Sequence, residues 1–233
     1  MSIDSDQQDA VRAHLSSRQL HPKSDWLASF FASARTNTPL PALKKSAEWK
    51  LLASDITESL DKDITAPLPS RATDVTVKEQ RLQQPLIVQV LDIEDLGRSR
   101  WSQIELIEQQ ERGEMTRGRE IIRLAPDGED GTLANTDLSR GPHKFLVQDA
   151  HGTKMYAFEM NPVHGVDLTM AIGAKLLIRT AVIARGMILL EPSQTELLGG
   201  KVAPWAEQWT KGRKAMLKSR LPDSVDQPGA WSQ

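Results

Sequence analysis

The apolar residues of this chain recur at a helical spacing of about 3.6 up to roughly residue 62, and at a strand spacing of 2 from roughly residue 85 onward. A single switch of period specifies helices packed beside a sheet, an α+β arrangement, and not a run of alternating βαβ units. In the first stretch Val11, His14 and Leu15 mark one side of a helix that fades near Leu20. Ser24 or Asp25, just after Pro22, supplies the N-cap of a second helix. Its stripe is Trp26, Leu27, Phe30, Phe31 and Ala34, and aromatics at that spacing are expected to be packed core. A third segment opens after Thr38-Pro39-Leu40-Pro41 and carries Leu43, Ala47, Leu51 and Leu52, with Ser54-Asp55 placed to cap a short last turn through Leu60. Residues 1–62 therefore read as a three-helix bundle, and residues 63–84, with Pro67 and Pro69, as a linker.

The second stretch predicts five strands: Leu86 to Ile93, Lys144 to Gln148, Met155 to Met160, Lys175 to Val182 and Met187 to Leu190. Asp149-Ala150-His151-Gly152-Thr153 and Ala184-Arg185-Gly186 are hairpin loops by composition. Asn161 to Ile172 is long enough for a short helix. Five strands with a helical link after the third follow the chain order of an OB-fold barrel, here spanning 85–202.

One segment breaks that order. Strands one and two are separated by Gly97 to Pro142, about 45 residues, and an insertion of that length in a small domain is uncommon and usually functional. Its first half, Gln103 to Leu124, is charged and partly helix-like, with Ile104, Ile107, Ile121 and Ile122 as apolar points. Its second half, Ala125 to Gly141, is rich in Gly, Asp, Asn and Ser and is expected to be mobile. A final helix over 203–221 carries Lys211, Arg213, Lys214, Lys218 and Arg220, and 222–233 reads as a disordered tail.

Chemistry is sparse. The chain has no cysteine, which removes thiolate ligands, thiol nucleophiles and disulfides together. Its five histidines are scattered without ligand spacing, and no phosphate-binding loop, HExxH or GxSxG occurs. Asp127, Glu129 and Asp130 lack the Gly and terminal Glu of a calcium loop, so neither metal nor cofactor is expected, and no catalysis. The net charge of −2 over 233 residues excludes a bulk electrostatic DNA binder and leaves only local patches. Lys211, Arg213, Lys214 and Lys218 are the candidate phosphate contacts. Lys154, Lys175 and Arg179 are candidate surface cations, and Phe145, Tyr156 and Phe158 the strand aromatics available to stack a base. No run approaches eighteen apolar residues, and no secretory leader is visible, so a soluble intracellular protein without membrane contact is expected.

The order of these parts resembles the RecQ-mediated genome instability protein family, first member. The resemblance lies in Trp26-Leu27, in WKLLASD from Trp49 to Asp55, and in LIVQVLDIEDLGRS followed by Ser102-Gln103-Ile104. It continues through LVQDAHGTKMYAFEMNPV, GAKLLI and RGMILLEPSQTELLGGKV. It implies a non-catalytic adaptor that binds topoisomerase III and a RecQ-family helicase in the nucleus, on DNA as part of the complex. The insertion, about 102–141, would project into the topoisomerase gate and favour its open state, promoting strand passage, decatenation and double Holliday junction dissolution. On that footing Ile121 and Ile122 are apolar anchors flanked by Arg117, Arg119, Glu120 and Arg123, and Lys175 falls at a Gly-x-Lys position implied in partner binding. The chain ends before a second barrel, as in a short fungal-type form. Two other readings remain open: an independent single-stranded DNA-binding OB module, and a scaffold whose insertion is idle.

Overall fold

A computed structural model describes residues 4–35, 37–112 and 141–221. The expectations for Arg117, Arg119, Glu120, Ile121, Ile122 and Arg123, for Asp127, Glu129 and Asp130, and for the tail at 222–233 lie outside those residues.

The helical half is α1 (Ser5–Ser17), α2 (Ser24–Ser33), α3 (Leu40–Leu52) and the single turn α4 (Ile56–Ser59). Asp55 caps α4 as expected, its Oδ1 accepting from the Thr57 amide at 2.8 Å. At α2 the expectation fails: the N-cap is Lys23 and no side chain caps the helix. Tertiary pairing sets that start instead, through the Lys23 amide on the Ser59 carbonyl and a bridge between Pro22 and Leu60. The aromatic stripe is core, with Phe30 buried and stacked on Trp26 at 5.7 Å between centroids.

The barrel strands are β1 (Gln80–Arg81), β2 (Leu86–Asp95), β3 (His143–Asp149), β4 (Lys154–Glu159), β5 (Lys175–Ile178), β6 (Val182–Ala184), β7 (Met187–Leu190) and β8 (Thr195–Gly199). They form one sheet in the order β1-β6-β7-β4-β3-β2-β5-β8. β4 pairs β7 in parallel and all other pairs are antiparallel. The fourth expected strand is two pieces. β5 pairs β2, β6 pairs β7, and the chain joins them through residues 179–181, which closes the row β7-β4-β3-β2 into the OB barrel. β1 and β8 lengthen the sheet at its ends, and neither was legible as an alternating run. The expected helix between the third and fourth strands is absent. Asn161 to Ile172 is instead a chain of tight turns, such as Val166 N to Val163 O and Met170 N to Asp167 O, with Pro162 and the left-handed Gly165 (φ 78°) interrupting any helical run.

Two apolar clusters result. One fills the barrel around Val88, Phe145, Val147, Ala157, Leu176 and Ile188. The other belongs to the helices but includes Ile87, Ala150 and Leu177 from the barrel, so the bundle is completed by the barrel wall. Two further helices, α5 (Arg100–Glu111) and α6 (Ala203–Ser219), pack against each other beside the root of the insertion.

Candidate partner-binding and nucleic-acid interface

Three places are candidates: the root of the insertion, the seam between bundle and barrel, and the outer face of β2, β3 and β4.

At the root, the insertion leaves and re-enters the barrel through a narrow neck. The Leu96 amide donates to the Pro142 carbonyl at 2.9 Å. A side chain at Gly97 would place its Cβ 2.4 Å from the Gly141 carbonyl oxygen, so the two strands of the neck approach closer than any other residue permits. Under the neck Gln103 is buried and its Nε2 donates to the carbonyls of Asp95 (2.9 Å) and Arg98 (3.1 Å). Its Oε1 accepts from Arg213 Nη2 at 3.2 Å. Behind it, His143 Nδ1 lies 2.6 Å from Glu159 Oε2, both residues buried, and Glu159 Oε1 accepts from the Val163 amide at 2.6 Å. Burial pushes the Glu159 carboxyl upward, but the hydrogen bonds from His143 and Val163 outweigh it and hold the group below its ordinary value.

Of the first half of the insertion, expected to be partly helical from Gln103 to Leu124, the described part is α5, which starts at Arg100 and lies on α6, and residues 113–124 lie outside the described residues. Lys214 Nζ is 2.6 Å from Glu111 Oε2 and 3.3 Å from Glu108 Oε1, and Lys218 Nζ is 3.0 Å from Glu108 Oε1. Hydrogen bonds from Lys218 and Lys214 hold the Glu108 carboxyl below its ordinary value. The four candidate phosphate contacts are therefore unlike one another. Arg213 is buried at 8% exposure, its guanidinium 4.3 Å from the Trp209 ring centroid, and it is a packing residue of the neck, not a surface contact. Lys211 is exposed and pairs with Glu207 at 2.6 Å. Lys214 and Lys218 face α5.

At the seam the expected surface lysine is inside. Lys175 has 0% exposure, and its Nζ donates to the carbonyls of Ser54 and Gly173, each at 2.6 Å. Burial lowers its pKa to about 8, against a raising influence from Asp55. It offers no atom to a partner docked on the assembled surface; it ties the end of α3 to the barrel. Gln89, buried beside it, accepts from the Ile56 amide (3.1 Å) and donates to Asp55 Oδ1 (2.8 Å). Sequence reasoning passed over Gln89, although one polar residue inside the apolar run LIVQVL marks a strand position that meets a polar partner.

On the outer face, Glu94 gathers three cations: Arg100 Nη2 at 3.3 Å, Lys144 Nζ at 3.5 Å and Arg220 Nη1 at 3.7 Å. They line a pocket of about 290 Å³ with Asp92, Leu146 and Tyr156. Tyr156 and Phe158 point outward, and Tyr156 is half-exposed with the Lys144 ammonium 4.8 Å from its ring centroid. Among the described residues no group of three or more His, Cys, Asp or Glu could hold a metal ion. No helix among them is long and apolar enough to cross a membrane.

Residues 68–213 match the family described as RMI1, N-terminal OB-fold domain, and residues 15–59 match RMI1, N-terminal helical domain. The chain belongs to the RMI1 family. A relative, RecQ-mediated genome instability protein 1 of Schizosaccharomyces pombe, is 26% identical over 209 residues, which cover 82% of this chain and 84% of that protein. The RMI1 OB-fold match takes in the neck, α5 and the buried seam residues Gln89 and Lys175. It stops at Arg213, so Lys214 and Lys218, the two cations that clasp α5, fall beyond it.

Proposed function

We propose that this protein is a non-catalytic genome-stability adaptor that binds topoisomerase III and a RecQ-family helicase in the nucleus, on DNA as part of their complex. The insertion biases the topoisomerase gate toward its open state and so promotes strand passage, decatenation and double Holliday junction dissolution. The observation that carries this reading is the pairing of RMI1-family membership with an insertion rooted in a hydrogen-bonded, closely packed neck. An element that must work on a gate needs a fixed base, since a partner shifts an equilibrium only by its differential affinity for the two states. Gln103, Arg213 and the clasped α5 provide that base.

The test is decatenation by topoisomerase III with the intact protein and with residues 113–140 replaced by a Gly/Ser linker. The cut begins after α5 because Gln103 and Ile104 of that helix are buried at the root of the insertion. Loss of stimulation with topoisomerase binding retained supports gate action. Full stimulation without the segment refutes it.

A further inference from the structure

The basic face of α6 is covered by another part of the chain. Lys214 and Lys218 meet Glu108 and Glu111, and both carboxylates belong to α5, the first helix of the insertion. Exposed lysine–carboxylate pairs are weak and exchange readily for a different anion. Lys218 keeps a side-chain exposure of 54%, so a phosphate approaches it without any rearrangement of α6 itself.

The surroundings favour nucleic acid over other anions. Trp101, 58% exposed, stands at the start of α5 beside Arg100. The Arg100 guanidinium reaches the Arg220 carbonyl past the end of α6 at 3.2 Å, which joins the start of α5, where Trp101 stands, to the end of the basic helix. On the other side, Arg100 and Arg220 share their pocket with Lys144 and the half-exposed Tyr156. Exposed rings interleaved with cations fit single strands, whose bases stack on the rings while their phosphates meet the cations. Asp92 and Glu94 oppose the cations in the pocket. Asp92 Oδ1 is already engaged by Trp209 Nε1 at 2.7 Å, and Glu94 is shared among three cations.

We propose that α6, Arg100 and the exposed rings of Trp101 and Tyr156 form a contact track for single-stranded nucleic acid, and that Glu108 and Glu111 cover its lysine end until phosphates displace them. The proposal is independent of the topoisomerase reading. It makes the covered state the weak-binding state of the free protein, with only the Glu108 and Glu111 side chains displaced while α5 stays docked through Gln103 and Ile104.

The test measures the affinity of a fluorescent oligo-deoxythymidylate for the full-length protein by anisotropy. Glu108→Gln with Glu111→Gln tightens binding. Two freed lysines steepen the dependence of log affinity on log salt by about 1.4, so the advantage over wild type shrinks about sevenfold between 50 and 200 mM salt. Adding Lys214→Gln and Lys218→Gln removes the advantage, and Trp101→Ala weakens binding at every salt concentration. Glu79→Gln with Glu191→Gln makes the same charge change at exposed positions elsewhere and leaves affinity near wild type. The proposal is overturned if the Glu108/Glu111 variant binds no tighter, if the Glu79/Glu191 control gains as much, or if the gain survives loss of the two lysines. Should the double variant lose its fold, Glu108→Gln alone, which removes the carboxylate that Lys218 meets and leaves Lys214 on Glu111, carries the same test with half the change in slope.

Discussion

A lysine held between two backbone carbonyls with no exposed surface faces two opposed costs. The charged form loses its hydration, and removing the side chain strands the carbonyls of Ser54 and Gly173. Because the folded pKa is about 8 against an ordinary 10.5, the folded protein binds fewer protons than the unfolded chain between those values. Stability at this site therefore rises as pH climbs from about 8 to 10.5, and is lowest at and below neutrality. Lys175→Met, which does not titrate, isolates the effect. In urea unfolding, wild type gains on the variant by up to about 3 kcal/mol between pH 7.5 and 10.5. A difference that stays flat with pH means that Asp55 holds the ammonium charged throughout. The Gly-x-Lys position was visible in the sequence, but its burial was not. A lysine at the head of a strand is ordinarily solvated, and only the approach of α3 and its Ser54 carbonyl encloses this one.

Among the elements, the strands were legible to within a residue or two wherever alternation and burial coincide, as in β3 with its buried His143, Phe145, Val147 and Asp149. β8 escaped notice because TELLG has no alternation; it is a strand through its pairing with β5. The split between β5 and β6 was hidden for the opposite reason, since the run from Lys175 to Val182 is apolar through the bend that closes the barrel. α6 was read as a basic exposed helix, whereas its buried stripe is Ala206, Arg213 and Leu217, with a cation in the middle. That cation meets Gln103, the residue on which the docking of α5 depends. Gln103→Ala leaves the Asp95 and Arg98 carbonyls and one Arg213 donor without their partner, at a cost of about 1–3 kcal/mol. The loss concentrates in α5. Hydrogen exchange of amides within 100–111 accelerates in the variant while β3 and β4 stay protected, and equal acceleration throughout the barrel places Gln103 in the global core instead.

The molecule as a whole folds as two apolar clusters that share a wall. Leu177 and Ile87 are barrel residues by chain and bundle residues by contact. Around them the seam is closed by Arg18, which reaches Glu48 of α3 at 2.9 Å and Glu196 of β8 at 3.3 Å, and by Gly200, where a Cβ would sit 2.3 Å from the Leu52 carbonyl oxygen. A bundle of three short helices and one extra turn buries too little by itself to offset the entropy of ordering it, so its stability is borrowed from the barrel face. This coupling explains why the sequence could give both domains and still not their joint: each periodicity reports which face of an element is apolar, and neither reports what lies opposite. Leu177→Ala tests the joint. Truncating a buried leucine costs about 2–5 kcal/mol. If the clusters unfold as one unit, native-state hydrogen exchange in α1 and α3 loses that same free energy along with β3 and β5. If only the helices lose protection while the barrel keeps its own, the bundle is a separable cap, and a partner that bound the seam could peel it away without unfolding the barrel.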